Sequence, residues 1–380
     1  MTTARLHRPD YTLIAIIFII IIFGLIMLSS AGTVVAYQKF GDSNYYLKRQ
    51  LLFGITLGLL ALFAASKIDY HFWQKMAFPL LAITIFALIV VLVPGLGYEL
   101  GGARRWINFG GFVFQPSELT KLTFILYLAT WLSKKGKEIN NMTYGFVPFL
   151  VLLGLITMLI MLQPDLGTMT VIAFVAVIVY FVAGGSIKHL LLILLVGALL
   201  FGLLVQIAPY RAARFTVFLN PEMDPQGIGY HVNQALLAIG SGGIFGLGLG
   251  HSRQKYNYLP EVTGDSIFAV IAEELGLIIS IGLILLYLTM MLRGFKIAKN
   301  APDPFGKLVA VGITCWFTFQ ALVNIGSMTS ILPLTGIPLP FVSYGSSAIV
   351  ISLASVGILI NISKQTKETA MVPIRGRKND

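Results

Sequence analysis

The chain has 380 residues, of which 57% are hydrophobic and 11% are charged, with a mean hydropathy of +0.84. Soluble domains carry about a quarter charged residues, so this composition excludes a soluble globular protein and indicates a membrane protein. A basic face along anionic lipid headgroups explains the formal net charge of +11, and we expect no nucleic-acid partner. The single cysteine, Cys315, excludes an internal disulfide framework.

Lipid cannot satisfy bare backbone groups, so each long apolar run must be a helix of about 20 residues. Hydropathy predicts ten spans, at residues 11–31, 47–66, 76–94, 117–133, 143–162, 165–184, 189–208, 266–292, 307–326 and 345–362. The first run is too long for a cleaved signal peptide and lacks a small-residue cleavage site. The sequence therefore predicts an all-α polytopic membrane protein, with one multi-pass domain over residues 1–380.

The distribution of Lys and Arg predicts the orientation. Most of them fall in the N-terminus, in the even-numbered connections and in the tail 363–380, so we expect both termini in the cytoplasm. Three segments of the opposite face are rich in polar and helix-breaking residues: 95–121, 327–347 and the long loop 209–265 between spans 7 and 8. We therefore expect the function to lie on the extracytoplasmic face.

The stretch 254–268 carries two carboxylates, Glu261 and Asp265, beside the cations Arg253 and Lys255. Asp265 directly precedes span 8, which places it near the boundary between water and membrane. An acid held there beside positive charge suits chemistry on a charged lipid headgroup. The alternative is that Asp265 caps the next helix, since Asp at a helix start accepts backbone N–H bonds.

A second polar cluster lies at 103–121. Glu118 and Lys121 are three residues apart, so they share a helix face and can pair. Ionisable groups entering a membrane usually point into the bundle or a wet cavity. The pair can thus brace the helix or form part of a cavity wall for substrate. Arg104 and Arg105 can hold a phosphate through paired donors, or extend to lipid headgroups.

The glycine-rich run 240–250, GSGGIFGLGLG, has no strand–turn–helix context, so it does not match a dinucleotide fingerprint. A closely packed, half-inserted segment explains it better than a phosphate site. Glu273 and Glu274 follow inside span 8, and two adjacent acids cannot share one face. At least one should turn inward, where it can serve a proton path or hold the loop by hydrogen bonds.

Residues 324–347 contain Pro333, Gly336, Pro338 and Pro340. Irregular backbone at membrane depth is tolerated only where protein or water covers it, so a re-entrant loop lining a cavity or a pore loop is expected. The histidines show no metal-ligand spacing. A divalent cation, Mg²⁺ or Mn²⁺, held by substrate phosphates is compatible with the sequence.

Several motifs together resemble the SEDS family of bacterial cell-wall proteins, to which FtsW and RodA belong. They are GARRWI at 102–107, FQPSELTK at 114–121, QPDLGT at 163–168, YLPE at 258–261 with Asp265 and IFA, EELG at 273–276, and GIPLPFVSYGSS at 336–347. They extend from span 3 to span 10, so the resemblance covers nearly the whole chain. The stretch SRQKYNYLPE is more similar to FtsW than to RodA.

The resemblance implies a ten-helix glycosyltransferase of the bacterial cell membrane that polymerises lipid II, an undecaprenyl-diphosphate-linked disaccharide peptide, into glycan strands. It also implies a class B penicillin-binding protein as partner, together with other membrane proteins of cell division or elongation. The family's essential loop aspartate maps to Asp265, and its Glu–Lys pair maps to Glu118 and Lys121. The family commonly reads HTDFIF around the aspartate, whereas this chain reads TGDSIF with Thr263 at the histidine position.

The expected chemistry needs a base for the acceptor hydroxyl, and Asp265 is the candidate. Arg104, Arg105, Arg211 and Arg214 are candidates to stabilise the developing diphosphate charge. We also expect Lys255, Glu261 and Ser343 to contact substrate. No second carboxylate is required, because diphosphate leaves without protonation.

Two other functions remain open at this point. A lipid II flippase would also have breaker-rich segments and acids near helix ends, although transport sites usually lie at mid-bilayer and these ionisable groups cluster on one face. A non-catalytic scaffold for division proteins would use the long loop and the cytoplasmic tail as docking surfaces.

Overall fold

The computed structural model describes residues 8–100, 103–109, 112–207, 217–218 and 227–365. The helices in this part of the chain are α1 (Tyr11–Ala31), α2 (Thr33–Phe40), α3 (Tyr45–Lys67), α4 (Tyr70–Leu92), α5 (Pro116–Lys135), α6 (Met142–Met161), α7 (Leu166–Val182), α8 (Ile187–Ile207), α9 (Ile228–Gly242), α10 (Ile267–Lys299), α11 (Pro304–Met328) and α12 (Ser346–Lys364). A helix therefore lies at each of the ten predicted spans. Among the described residues, seven helices are long and apolar enough to cross a membrane, and the full count of ten crossings stays a prediction.

The main difference from the expected all-α fold is a small antiparallel sheet between α4 and α5. Its strands are β1 (Tyr98–Leu100), β2 (Ala103–Phe109) and β3 (Phe112–Phe114), in the order β1-β2-β3. Aromatic and β-branched residues make up all of β3 and three of the seven residues of β2, and Gly-Gly pairs separate the strands in the sequence, which is typical of hairpins. A hydropathy scan reports only long apolar runs, so it does not detect strands this short.

The centre of the bundle is formed by α11 and α12, whose most apolar stretches are 78% and 72% buried, against 28% for α3 and α4. Helix α11 packs on α5, α7 and α10, and α12 packs on α3. Large apolar side chains such as Phe78, Phe86 and Leu194 are exposed on the outer helices. An apolar exterior around a partly polar centre is what a bilayer requires.

The two described ends of the chain lie at the same end of the bundle. The backbone N–H of Asp10 donates to Ser363 Oγ at 3.2 Å, and Arg293 near the end of α10 binds the Asp10 carboxylate at 2.6 Å. The starts of α10 and α12 lie at the opposite end, which we call the Asp265 end. This arrangement agrees with two termini on one side of the membrane, and which side stays a prediction.

The glycine-rich run packs backbone to backbone against α10, as expected. Helix α10 is interrupted at Gly276, whose φ of 75° is accessible mainly to glycine. A Cβ added to Gly276 would lie 2.4 Å from the Gly246 nitrogen, and one added to Gly242 would lie 2.0 Å from the Ala272 oxygen. The glycines are needed for close approach, and half-insertion of this segment into the membrane stays a prediction.

The tight contact between α12 and α3 gives a test of this packing. A Cβ on Gly357 would lie 2.5 Å from the Leu62 carbonyl oxygen, whereas a Cβ on Gly154 in α6 meets no atom within 4 Å. We expect Gly357→Ala to destabilise the protein by about 1–3 kcal/mol through overpacking. Gly154→Ala should leave stability unchanged or raise it, because Ala favours a helix. Thermal unfolding in detergent measures the stability of both variants. Equal melting temperatures of the Gly357→Ala and Gly154→Ala variants would contradict this packing.

Candidate active site around Asp265

Asp265 lies in a turn-rich segment between α9 and α10 and is 9% exposed. Helix α10 begins at Ile267 with Ser266 as its N-cap residue, so the cap position does not belong to Asp265. The alternative, that Asp265 serves only as the N-cap of this helix, is therefore wrong, because Ser266 occupies that position. The N–H groups of Gly264 and Ser266 both donate to the Glu261 carbonyl oxygen, at 2.9 and 3.3 Å, which makes the segment a compact turn.

The proline-rich segment lies directly against this turn. Ser343 Oγ donates to the Gly264 carbonyl oxygen at 2.6 Å, and the Tyr344 N–H donates to the Thr263 carbonyl oxygen at 2.8 Å. A Cβ added to Gly336 would lie 3.8 Å from Asp265 Oδ2, so the carboxylate points toward Gly336. The segment thus lines Asp265, as a re-entrant segment would. Burial raises the pKa of the Tyr344 phenol, which keeps it protonated at neutral pH.

Helix α11 holds both segments through a row of polar side chains one turn apart. Asn324 Nδ2 lies 2.8 Å from the Asp265 carbonyl oxygen and 2.8 Å from the Ile337 carbonyl oxygen. Gln320 Nε2 donates to the Pro338 carbonyl oxygen at 2.8 Å, and Ser327 Oγ donates to that of Pro333 at 2.9 Å. Prolines cannot form a regular ladder, so these side chains replace the missing backbone hydrogen bonds.

The predicted pairing of Glu118 with Lys121 is confirmed, with Lys121 Nζ 2.8 Å from Glu118 Oε1 and both side chains buried. Lys121 Nζ also donates to Gln320 Oε1 at 3.1 Å, and it lies over the ring of Trp316 at 4.9 Å. The adjacent cavity measures about 10 Å³, room for about one water. In this structure the pair braces α5 against α11, and substrate contact stays a prediction.

Two glutamates hold the loop that precedes Asp265. Glu273 and Glu274 are both buried. Glu273 Oε1 accepts from the Arg253 N–H at 2.9 Å, and Glu274 Oε1 accepts from Lys255 Nζ at 2.8 Å. Ser30 Oγ donates to Glu274 as well, at 2.7 Å. Of the two expectations for these acids, the structure supports holding the loop. Both acids turn inward because the loop wraps around the start of α10.

His231 approaches the site from α9, a helix that hydropathy did not predict. His231 Nε2 lies 2.6 Å from Ser266 Oγ, which in turn lies 2.7 Å from the Pro260 carbonyl oxygen. A hydroxyl has one proton, and the Pro260 carbonyl can only accept it, so Nε2 must be the donor to Ser266. An imidazole thus reaches the residue next to Asp265, although position 263 carries Thr.

The predicted cations occupy different positions. Arg104 Nε binds Glu99 Oε2 at 3.0 Å, and Arg105 Nε donates to the Gln163 carbonyl oxygen at 2.9 Å. Lys255 is 3% exposed and pairs with Glu274. Arg211 and Arg214 lie outside the described residues, as does the tail from residue 366. Binding of substrate by any of these cations stays a prediction.

An open cavity of about 370 Å³ lies between the end of α1 and the loop before α10, and Ser30, Thr33, Leu249 and Lys255 contribute to its lining. Among the described residues, no group of three or more His, Cys, Asp or Glu side chains is placed to hold a metal ion. A divalent cation carried by a substrate diphosphate stays a prediction.

Asp265, Ser343 and Glu261 are thus brought together, whereas Glu118 and Lys121 reach the same site only through Gln320. The sequence analysis missed Asn324, Gln320 and His231. Gln320 and Asn324 are four residues apart in an otherwise apolar helix, and polar side chains at that spacing mark one inward-facing stripe. No comparable signal identified His231, because its contact depends on how the long loop folds.

This fold and site define a multi-pass membrane protein with a carboxylate held against irregular backbone at one end of its bundle. The chain belongs to the FtsW/RodA/SpoVE family: the family profile, described as a cell cycle protein, matches residues 11–368. This confirms the resemblance to the SEDS family.

The chain is similar to curated proteins over nearly its whole length. It is 45% identical over 367 residues to stage V sporulation protein E of Bacillus subtilis (strain 168), covering 97% of this chain and 100% of that protein. It is 40% identical over 373 residues to a probable peptidoglycan glycosyltransferase FtsW of Trichlorobacter lovleyi, covering 98% and 97% of the two chains.

Solved structures share the fold. One chain, from a study of polymerization and crosslinking by a peptidoglycan synthase complex, matches with a TM-score of 0.77 and 30% identity, over 93% of this chain and 97% of that one. The rod shape determining protein RodA of Thermus thermophilus matches with a TM-score of 0.70 and 28% identity, over 95% and 98%.

The bridging role of Asn324 gives a test of the site's construction. Asn324→Leu removes two hydrogen bonds and leaves the carbonyl groups of Asp265 and Ile337 unsatisfied, at about 1–3 kcal/mol per buried group. We expect a lower melting temperature, with faster amide hydrogen exchange confined to the segments around Asp265 and Ile337.

A matched control lies on the same helix. Within the part of the chain that the structure describes, Thr318 Oγ1 is buried and has no hydrogen-bond partner, so Thr318→Val should leave the melting temperature and the exchange rates unchanged. Equal exchange rates in the Asn324→Leu variant and the wild type would contradict a role for Asn324 in holding the two segments.

Proposed function

We propose that this chain is a peptidoglycan glycosyltransferase that polymerises lipid II into glycan strands, with Asp265 as its general base. The observation that carries the proposal is the placement of Asp265: a buried acid in a turn that hydrogen bonds tie to α9, α11 and the proline-rich segment, at one end of a membrane-spanning bundle. The names of the curated relatives support the reaction class. A base must be fixed in position to be efficient, which this hydrogen bonding achieves.

The proposed reaction is a displacement at the anomeric carbon of the donor sugar. The acceptor hydroxyl attacks that carbon, the new glycosidic C–O bond forms, and the bond to the lipid diphosphate breaks. The hydroxyl proton passes to the Asp265 carboxylate, and the electron pair leaves with the diphosphate. Cations stabilise that charge, and Arg104, Arg105, Arg211 and Arg214 are the candidates.

We further propose that the chain works beside a class B penicillin-binding protein, which would crosslink the strands, and with other membrane proteins of cell division or elongation. The structural relative from a complex that couples polymerization to crosslinking supports such a partner. We place the Asp265 end outside the bacterial cell membrane and both termini in the cytoplasm. The relatives named FtsW, and a family profile described as a cell cycle protein, favour a role in cell division over elongation.

Flippase activity has less support. Among the described residues, the buried pairs Glu118–Lys121 and Glu274–Lys255 lie toward the Asp265 end, and the pair Asp10–Arg293 lies at the opposite end, rather than midway along the helices. Transport sites usually lie near the middle of the membrane.

Polymerisation by the purified protein together with its class B partner tests the proposal directly. Asp265→Asn keeps the shape of the side chain but removes the base, so we expect the rate of glycan-strand formation to fall about 100-fold or more. Glu138→Gln is the matched control, because Glu138 is an exposed carboxylate at the other end of the bundle. Gel analysis of labelled strands measures the rate of strand formation by both variants. Thermal unfolding checks that their melting temperatures equal that of the wild type.

Full activity in the Asp265→Asn variant would remove Asp265 from the mechanism and leave the reaction class intact. Absence of strands from the wild type with its partner would instead contradict the reaction class. Transport of labelled lipid II across liposomes by the chain alone would then favour a flippase.

A further inference from the structure

Four aromatic side chains form a continuous row at the Asp265 end: Phe40, Tyr45, Tyr46 and Tyr344. Phe40 stacks on Tyr45 with ring centroids 3.7 Å apart and planes at 14°. Tyr45 and Phe40 both meet Tyr46 edge to face, at 5.8 and 5.9 Å, and Tyr46 meets Tyr344 at 4.9 Å. The row leads from the end of α2, through the start of α3, to the proline-rich segment. The proposed reaction assigns no role to these rings.

The row ends beside Asp265. The Tyr344 N–H donates to the carbonyl oxygen of Thr263, two residues before the proposed base. A Cβ on Gly32 would lie 3.4 Å from the Tyr46 ring and 3.3 Å from the Thr263 methyl group, so Tyr46 and Thr263 pack at the same point. A ligand lying along the four rings would therefore have one end at the turn that carries Asp265.

Part of this surface is open, and it carries polar groups beside the rings. Phe40 is 48% exposed, and the three tyrosines are half-buried. Glu261 is exposed and within electrostatic range of the Tyr46 hydroxyl. Arg49 donates to the Tyr45 hydroxyl at 2.7 Å and lies 5.6 Å from the centre of its ring.

Aromatic rings beside a carboxylate match the chemistry of a sugar. The C–H face of a pyranose ring is apolar and packs against the face of an aromatic ring, which carries partial negative charge. Hydroxyl and acetamido N–H groups at the rim of the sugar are donors, and a carboxylate is an acceptor only. A single interfacial tyrosine is explained by an aromatic belt, but a belt does not require contiguous rings ending at Asp265.

We propose that the row Phe40–Tyr45–Tyr46–Tyr344 is a binding track for the growing glycan strand, holding it while its end is extended at Asp265. The inference rests on the proposed function. Strand length depends on how fast the strand dissociates relative to each addition. Removing a ring far from Asp265 should therefore shorten the product and leave each addition unaffected.

Phe40 is the ring to test, because it is the most exposed of the four and Tyr46 lies between it and Tyr344. Phe40→Leu keeps an apolar side chain and removes the ring. We expect the mean strand length to fall about fivefold, the effect of one lost aromatic contact on dissociation. The initial rate of lipid II consumption at saturating lipid II, with the partner present, should stay at the wild-type value.

Two controls make the test specific. Phe40→Tyr keeps the ring and should produce strands of wild-type length, which shows that the ring and not the fold is responsible. The exposed fraction of Phe181 in α7 is 46%, similar to that of Phe40. Phe181 lies at the other end of the bundle, so Phe181→Leu should leave the strand length unchanged.

Unchanged strand length in Phe40→Leu would overturn the track. A raised KM for lipid II at unchanged length would also overturn it, because the row would then bind the donor disaccharide. A loss of melting temperature in Phe40→Leu that Phe40→Tyr does not restore would assign Phe40 to packing alone. Absence of strands from the wild type would contradict the proposed function itself.

Discussion

The site depends on the hydrogen bonds that α11 makes to backbone outside the helices. A membrane bundle cannot leave irregular backbone without partners, and neither prolines nor tight turns can supply a regular ladder. Asn324 resolves this for two segments at once, because one amide group binds the carbonyl oxygens of Asp265 and Ile337. One turn earlier, the Gln320 amide group donates to the carbonyl oxygen of Pro338. The position of Asp265 therefore follows from a rigid, deeply buried helix rather than from its own loop.

Two buried ion pairs among the described residues, Glu118–Lys121 and Glu274–Lys255, serve this arrangement more than overall stability. Charges removed from water cost several kcal/mol each, so a buried pair is weak evidence of net stabilisation. Both pairs carry further hydrogen bonds: Lys121 reaches Gln320, and Lys255 reaches the Gly250 carbonyl oxygen. The Lys255 pair thus fixes the loop before α10, and the Lys121 pair braces α5 against α11. Their value lies in specifying a single arrangement of the segments around Asp265.

Much of this could be predicted from the sequence. The apolar runs gave the helices, the spacing of Glu118 and Lys121 gave their contact, and the motifs gave the family. The strand hairpin was missed because hydropathy averages over about 20 residues and three-residue strands disappear in that window. His231 was missed because its partner, Ser266, is 35 residues away. Contacts at that separation depend on tertiary packing, which no local pattern encodes.

The structure also distinguishes among the cations as candidates to stabilise the negative charge that develops on the leaving diphosphate. Lys121 and Lys255 are buried and matched by carboxylates, so using either would expose an unpaired acid. Arg104 pairs with Glu99 at the surface, where such pairs contribute little and exchange readily. Arg105 donates to the carbonyl oxygens of Gln163 and Pro164, which are neutral acceptors, so these contacts leave its positive charge uncancelled. They also hold the guanidinium in place. Of these four cations, Arg105 is therefore the strongest candidate to stabilise a developing diphosphate charge, because it combines fixed position with persistent charge.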